Sequence, residues 1–176
     1  MQHVVLVNEQ DQQIGTMEKM EAHRRALLHR AFSVFIFNGR GEMLLQRRSF
    51  SKYHSGGLWT NACCSHPGPG DALVEAAERR LKEELGFSTP LTKAFDFIYK
   101  APFDNGLTEY EFDHVLTGIH DGEVHPNQEE VEAVRWMNTT DVSADLAARP
   151  ALYTEWFKIA FQAFLERVPL TFFPKG

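Results

Sequence analysis

Residues 31–48 leave the chain little choice of local structure. Ala31-Phe32-Ser33-Val34-Phe35-Ile36-Phe37 is an apolar, strand-prone run, and Met43-Leu44-Leu45-Gln46-Arg47-Arg48 is a second one. Between them lies Asn38-Gly39-Arg40-Gly41, a turn sequence, so the segment predicts an antiparallel hairpin. A chain of 176 residues is long enough to bury a hydrophobic core around it, and a single domain over residues 1–176 is expected.

The remaining elements follow from periodicity. Residues 3–8 read as a first strand, Gln10 to Gly15 as a polar turn, and Glu18 to His29 as a charged loop with a short helix. Leu73, Ala77, Leu81 and Leu85 recur every four residues and give a helix its buried face. That helix is expected to begin at Ala72, with Asp71 as its cap and Gly86 at its end. Further strands are expected over 92–99, 109–119 and 131–137, and a last helix over 151–167, stopped by Pro169. The fold class is mixed α/β (α+β), with no internal repeat and no linker.

The chain carries a formal charge of -6 and a sequence pI near 5.7. No nucleic-acid partner is expected, because phosphate-backbone binding calls for a broad basic face. A small anionic substrate is compatible with that charge, since a few local Lys and Arg residues suffice. The first apolar run, Val4 to Val7, is too short for a signal core, and no run reaches membrane-spanning length. The two cysteines, Cys63 and Cys64, are adjacent, which disfavours a disulfide between them. No membrane insertion and a cytoplasmic location are the resulting expectations.

Chemically capable side chains concentrate between Ser49 and Asp71, a stretch rich in Ser, Gly, Pro and His. Cys64 stands there beside Ser65-His66, where a thiol can exchange a proton with carbon; a small buried cysteine is the plainer alternative. The loop feeds the helix that carries Arg79, Arg80, Glu83 and Glu84, a place where backbone dipoles and Glu84 can surround a phosphate-bound cation. Simple surface ion pairs along that helix are equally compatible with the spacing. In Glu109-Tyr110-Glu111-Phe112-Asp113 a strand's period of two puts three carboxylates on one face. A wet acidic face or a cation-relieved cluster both fit that pattern. His23, His29 and His66 can offer imidazole nitrogens to a metal with Glu109 and Glu111, although their spacing matches no compact motif. Tyr99 and Trp156 can line an apolar pocket for a cationic centre or simply pack. Lys19, Arg47, Arg48, Lys52 and Arg80 are candidate diphosphate contacts. His3, His54, His114, His120 and His125 receive no role.

Five ordered segments together resemble type I isopentenyl-diphosphate isomerases. They are Met17-Glu18-Lys19 to His23, His29-Arg30-Ala31-Phe32, Arg47-Arg48-Ser49-Phe50-Ser51-Lys52, Gly57-Leu58-Trp59-Thr60-Asn61-Ala62-Cys63-Cys64-Ser65-His66-Pro67, and Glu109-Tyr110-Glu111. The resemblance spans residues 3–160 and implies a Nudix-like fold, a mixed sheet flanked by helices, with its core over about 29–165. Residues 65–86 look like a degenerate Nudix box. Ser65 stands at its opening glycine, Asp71 at its first acid and Arg80 at the acid after Arg79, while Glu83, Glu84 and Gly86 are retained.

What the resemblance implies is reversible conversion of isopentenyl diphosphate to dimethylallyl diphosphate by protonation and deprotonation. His23, His29 and His66 resemble the histidine ligands of a tightly held divalent metal, Mn2+ or Zn2+, completed by Glu109 and Glu111. Glu84 resembles the residue that reaches Mg2+ bound with the diphosphate, and Lys19, Arg48, Lys52 and Arg80 its basic contacts. Cys64 and Glu111 resemble the catalytic thiol base and carboxylic acid, assisted by Tyr99, with Trp156 facing the cationic centre. A monomer or weak dimer is expected. Two departures matter. Ser65 replaces a glycine often found between the cysteine and histidine, which would strain a glycine-only conformation. The stretch from His23 to His29 is also slightly short, which threatens the placement of His23. A diphosphohydrolase, or a metal-dependent diphosphate-binding protein without catalysis, is the competing reading.

Overall fold

In the computed structural model, which describes residues 1–169, nine strands join in one sheet. In chain order the elements are β1 (His3–Val7), β2 (Gln13–Glu18), α1 (Lys19–Arg24), β3 (His29–Phe37), β4 (Glu42–Arg48), β5 (Trp59–Thr60), β6 (Cys63–Ser65) and α2 (Leu73–Leu85). They continue with β7 (Thr92–Pro102), β8 (Thr108–Ile119), β9 (Val131–Asn138), α3 (Thr139–Ala148), a short 3-10 turn at Pro150–Leu152 and α4 (Glu155–Arg167). The sheet is mixed and has helices on both faces. The last seven residues of the expected single domain lie outside the described residues.

The 31–48 segment forms its turn but not an extended hairpin. Gly41 N–H donates to Asn38 O, Gly41 takes the left-handed φ of 76° that glycine tolerates, and β3 and β4 pair only at Phe37 and Met43. Beyond that point the strands part. β3 runs parallel to β8 along its whole length, from His29 opposite Glu111 to Phe37 opposite Ile119. Its other edge is divided among β1 at His29, β6 at Phe32–Val34 and β4 at Phe37. β4 pairs instead with β9 and β5.

Alternation along β3 builds two cores. Phe32, Val34 and Ile36 pack toward Ala77, Leu81 and Leu85 of α2. Phe35 and Phe37 pack toward Trp156, Phe157 and Phe164 of α4. Burying a side chain of this size contributes roughly 1.5–3 kcal/mol.

Several expected boundaries change. Residues 13–18, expected partly as turn, form the exposed edge strand β2. Asp71 does not cap α2: Ala72 occupies that position without a side-chain bond, and Asp71 Oδ2 accepts from Gly68 N–H and Arg79. Gly86 closes α2 in the left-handed conformation as expected. The helix expected from 151 begins at Glu155, because Thr154 supplies its cap through the Phe157 N–H.

Candidate active site

Strand register brings the acidic stripe and the first histidine together. On β8, Glu109, Glu111 and Asp113 share one face, and all three are buried, so the wet-face alternative fails. Across the sheet Glu111 stands opposite His29 on β3 and opposite Tyr99 on β7. His23 arrives from α1 and His66 from the residue after β6.

His23, His29, His66 and Glu111 each offer a ligand atom, and those atoms all lie within 4.8 Å of one another. The orientation of two rings tests whether the group suits a cation. His23 Nδ1 lies 2.6 Å from Lys19 O, and His29 Nδ1 lies 2.8 Å from Leu27 O. A carbonyl only accepts, so each Nδ1 carries a proton; the His23 ring turns a lone pair out at Nε2, while His29 Nε2 faces Glu111 Oε1 at 3.5 Å, and against the effect of burial that carboxylate raises the His29 pKa. Both Nε2 atoms are buried without a hydrogen-bond partner. Backbone-fixed rings with bare inward nitrogens fit a divalent cation, the backbone carbonyls acting as the supports that orient ligating histidines. Burial pulls His23 down to about 4, which keeps it neutral. Burial also works to raise Glu111, but the neighbouring His66 and His29 outweigh it and hold the carboxylate well below its usual range.

Glu109, expected as a fifth ligand, stands one step aside. Its Oε2 accepts from the Tyr99 hydroxyl at 2.6 Å, and its Oε1 lies 2.8 Å from His54 Nε2. The same Tyr99 hydroxyl is 2.7 Å from Glu111 Oε2. One phenolic proton therefore faces two carboxylates, and the three groups form a single proton-sharing unit.

Cys64 lies opposite Ser33 in the sheet, toward the face that carries Trp156. Trp156 Nε1–H donates to its sulfur at 3.1 Å, and the thiol lies 3.2 Å from Asn61 Oδ1. Asn61 is held in that orientation because its amide nitrogen donates to Val34 O and Cys63 O. Burial, then the nearby Asp113, pushes the Cys64 thiol up to about 12. The resting pair is thus a protonated thiol and an ionised Glu111. Cys63 and Cys64 are both free thiols.

Cys64, Tyr99, Glu109, Glu111 and Trp156 line one inner cavity. It shares Arg48, Cys64, Ser65 and His66, among others, with an adjoining cleft of about 400 Å3. That cleft gathers four of the five candidate diphosphate contacts, Lys19, Arg48, Lys52 and Arg80, together with Glu84. Gln46 Nε2 donates to Glu84 Oε2 at 2.8 Å, and Arg80 Nη2 lies 2.9 Å from Glu84 Oε1 and 3.0 Å from Glu130 Oε2. Lys52 also pairs with Glu130. Burial, with Lys52 and Arg80 nearby, lowers the Lys19 pKa, as expected for a desolvated cation beside other cations. Arg48 rests with its guanidinium 5.1 Å from the Trp156 ring centre. Arg47 points elsewhere, donating to Gly57 O and lying over Phe50.

Neither departure disturbs the site. Ser65 lies in the extended strand β6, opposite Phe32, and is absent from the residues with positive φ. The short link after His23 is closed by Ala26 at φ 51°, and the His23 and His29 rings stay 5.0 Å apart. His54, Glu130, Asn61, Ser33 and Asp113 were not given roles from sequence. Their loop or strand positions offered a signal only for Asp113, which shares the stripe of Glu109 and Glu111.

The NUDIX domain family matches residues 27–157. Isopentenyl-diphosphate Delta-isomerase 2 of Aromatoleum aromaticum is 48% identical over 153 residues, covering 87% of this chain and 81% of that protein. Isopentenyl-diphosphate Delta-isomerase 2 of Photorhabdus laumondii is 49% identical over 155 residues, covering 88% of each. Among solved structures, a protein from Deinococcus radiodurans superposes with a TM-score of 0.76 at 22% identity, covering 93% of this chain and 99% of that one. A MutT protein from Methanosarcina mazei gives 0.65 at 20% identity, covering 79% and 94%. These two structures share the fold.

Proposed function

The chain belongs to the isopentenyl-diphosphate Delta-isomerase family of NUDIX-domain proteins, and on that premise we propose that its two joined cavities move the double bond of isopentenyl diphosphate to give dimethylallyl diphosphate. The observation that carries this reading is the shared wall. A thiol and a carboxylate line an inner cavity that opens directly onto a basic cleft. A diphosphate held in the cleft would leave its short hydrocarbon tail between the two proton-exchanging groups.

Lys19, Arg48, Lys52 and Arg80 bind and orient the diphosphate, turning an encounter into a fixed geometry. Glu84 would hold Mg2+ beside the diphosphate. His23, His29, His66 and Glu111 would hold the second divalent cation, Mn2+ or Zn2+, with Glu109 available beside them. When bound, that cation supplies positive charge that tunes Glu111 and its neighbours. Cys64 and Glu111 exchange the two protons with the allylic unit, and Tyr99 connects Glu111 to its proton supply. An alkene is a poor base, so the proton must be delivered as positive charge grows on the tertiary carbon. The Trp156 face stabilises that charge, and in the resting protein it already has a guanidinium against it. Where the thiol gives and the carboxylate takes, the resting protonation serves directly; with Glu111 as acid and Cys64 as base, Glu111 must first gain a proton, within reach of Tyr99, and the Cys64 thiol must lose one.

Proton NMR of the purified protein with isopentenyl diphosphate, Mg2+ and Mn2+ or Zn2+ tests the reading. New dimethylallyl signals without phosphate release are expected. Phosphate or pyrophosphate release would establish a hydrolase instead, and binding without migration a diphosphate carrier.

A further inference from the structure

His54 lies in the loop between β4 and β5, yet its side chain is only 3% exposed. Its ring stacks on Phe103, with centroids 4.6 Å apart and planes within 6°, and meets Tyr53 and Trp156 edge-on at 4.4 and 5.7 Å. Ring contacts of this kind fix an imidazole's plane and direction. The direction fixed here is toward the site: Nε2 lies 2.8 Å from Glu109 Oε1. The next residue, Ser55, adopts φ 54°, a left-handed conformation that is unfavourable for a non-glycine residue.

We infer that His54 is a positioning residue for the proton-sharing unit. Its Nε2 stands against Glu109 Oε1 as a close ion-pair contact rather than an aligned hydrogen bond, and leaves Oε2 to face the Tyr99 hydroxyl, which in turn reaches Glu111 Oε2. The line His54–Glu109–Tyr99–Glu111 crosses from the loop to the cation-holding group and ends on a carboxylate that also faces Cys64's cavity. Without His54, the Glu109 carboxylate is free to rotate, and the Tyr99 hydroxyl loses the geometry that sets its distance to Glu111. Lys19, Lys52 and Arg80 line the neighbouring cleft, whose walls do not include His54, and Arg48, which lines both cavities, donates to the His54 backbone carbonyl, which a side-chain substitution leaves in place. Loss of His54 therefore acts on proton exchange and on the surroundings of the held ion, and leaves diphosphate binding in place.

The turnover arm of the test rests on the isomerase reading; the spectroscopic arm does not. The full-length chain is loaded with Co2+ as wild type, His54→Ala and His54→Gln, the last restoring an N–H donor. One ion per chain is expected in all three, with the visible absorption envelope altered in His54→Ala and returned toward wild type in His54→Gln. With isopentenyl diphosphate, kcat of His54→Ala should fall at least about tenfold, in the range of losses seen when groups supporting a metal site are removed. KM should stay within about twofold, and His54→Gln should recover most of kcat. An unchanged Co2+ spectrum in His54→Ala overturns the inference. So does loss of the ion, which would make His54 a ligand, or a failure of His54→Gln to restore either signal. A wild-type protein that shows the spectral pattern but no double-bond migration refutes the isomerase reading while upholding the positioning role.

Discussion

Trp156 on α4 donates its indole N–H to the sulfur of Cys64 on β6, 3.1 Å away. The bond links the last helix to a three-residue strand and aims the thiol into the inner cavity. Because the ring and the N–H do different jobs, they can be separated. Trp156→Phe keeps an aromatic face and removes the donor. A single hydrogen bond contributes about 1 kcal/mol, so kcat should fall about three- to tenfold with KM unchanged, measured by initial rates of dimethylallyl diphosphate formation. An unchanged kcat would show that the bond is structural ornament to the chemistry.

Cys64→Ala removes the proposed proton-exchanging thiol and leaves Lys19, Lys52 and Arg80 of the adjoining cleft, which Cys64 also lines, in place. A positioned acid or base typically contributes about 10²–10⁴-fold, and loss of turnover on that scale is expected. Calorimetric binding of isopentenyl diphosphate with Mg2+ should remain near wild type. Rapid turnover by this variant would remove Cys64 from the reaction.

The hairpin turn at residues 38–41 was legible in sequence because its glycine and asparagine act locally. The pairing that follows was not. β3 spends one whole edge on β8, more than seventy residues downstream, and no local period reports such a partner. β5 and β6 are too short for alternation to show, and β2 is a polar edge strand whose Ile14 is exposed. The candidate site divides in the same way. Glu109, Glu111 and Asp113 announced a shared face through their period of two, and the histidines and Cys64 were recognised through family resemblance. His54 had neither kind of signal: its partner Glu109 lies on a distant strand, and only folding brings the two within contact.

The Nε2 atoms of His23 and His29 are buried without a hydrogen-bond partner, so an ion seated between them would register in the stability of the fold. An ion that binds the folded chain alone stabilises it by about 2.7 kcal/mol at a hundred times its Kd. For a chain of this size that is a rise in Tm of roughly 5–10 °C. Thermal melts with Mn2+ or Zn2+ added and then chelated should show the rise and its reversal, and His29→Ala should abolish it. A metal-induced rise that survives in both His29→Ala and His66→Ala would place the ion elsewhere.

Far from the site, Asp145 ties α3 to the start of α4 by accepting from the Tyr153 hydroxyl and pairing with Arg149 and Arg135. The Tyr153 hydroxyl, followed by Arg149, holds its carboxyl below the usual aspartate range. A depressed folded-state pKa gives stability that is present above the unfolded value, about 3.9, and lost as pH falls through the folded value. Asp145→Asn should therefore destabilise the protein at pH 7 by about 1 kcal/mol, since much of the arginine partnership is solvent-exposed. Urea melts should show the gap closing as pH drops below 4. A gap that persists at pH 2.5 would assign the effect to packing.

Arg80 replaces the acid of the Nudix box with a cation, and three carboxylates converge on it: Glu83, Glu84 and Glu130. Arg80→Glu restores the box's acid but sets a fourth carboxylate among three that have lost their shared cation. Repulsion in the cleft then opposes the diphosphate, while Cys64 and Glu111 remain in the inner cavity. KM for isopentenyl diphosphate should rise at least about tenfold, the equivalent of 1.4 kcal/mol of lost anion binding, with a smaller change in kcat. Phosphate release should stay at background, because a single carboxylate does not rebuild a site in which Ser65 and Asp71 also depart from the box and Asp71 is already engaged by Arg79. Initial-rate kinetics paired with a phosphate assay read both quantities. A variant that keeps its KM would remove Arg80 from diphosphate binding, and one that gains hydrolysis would show that this one side chain is what keeps the diphosphate intact.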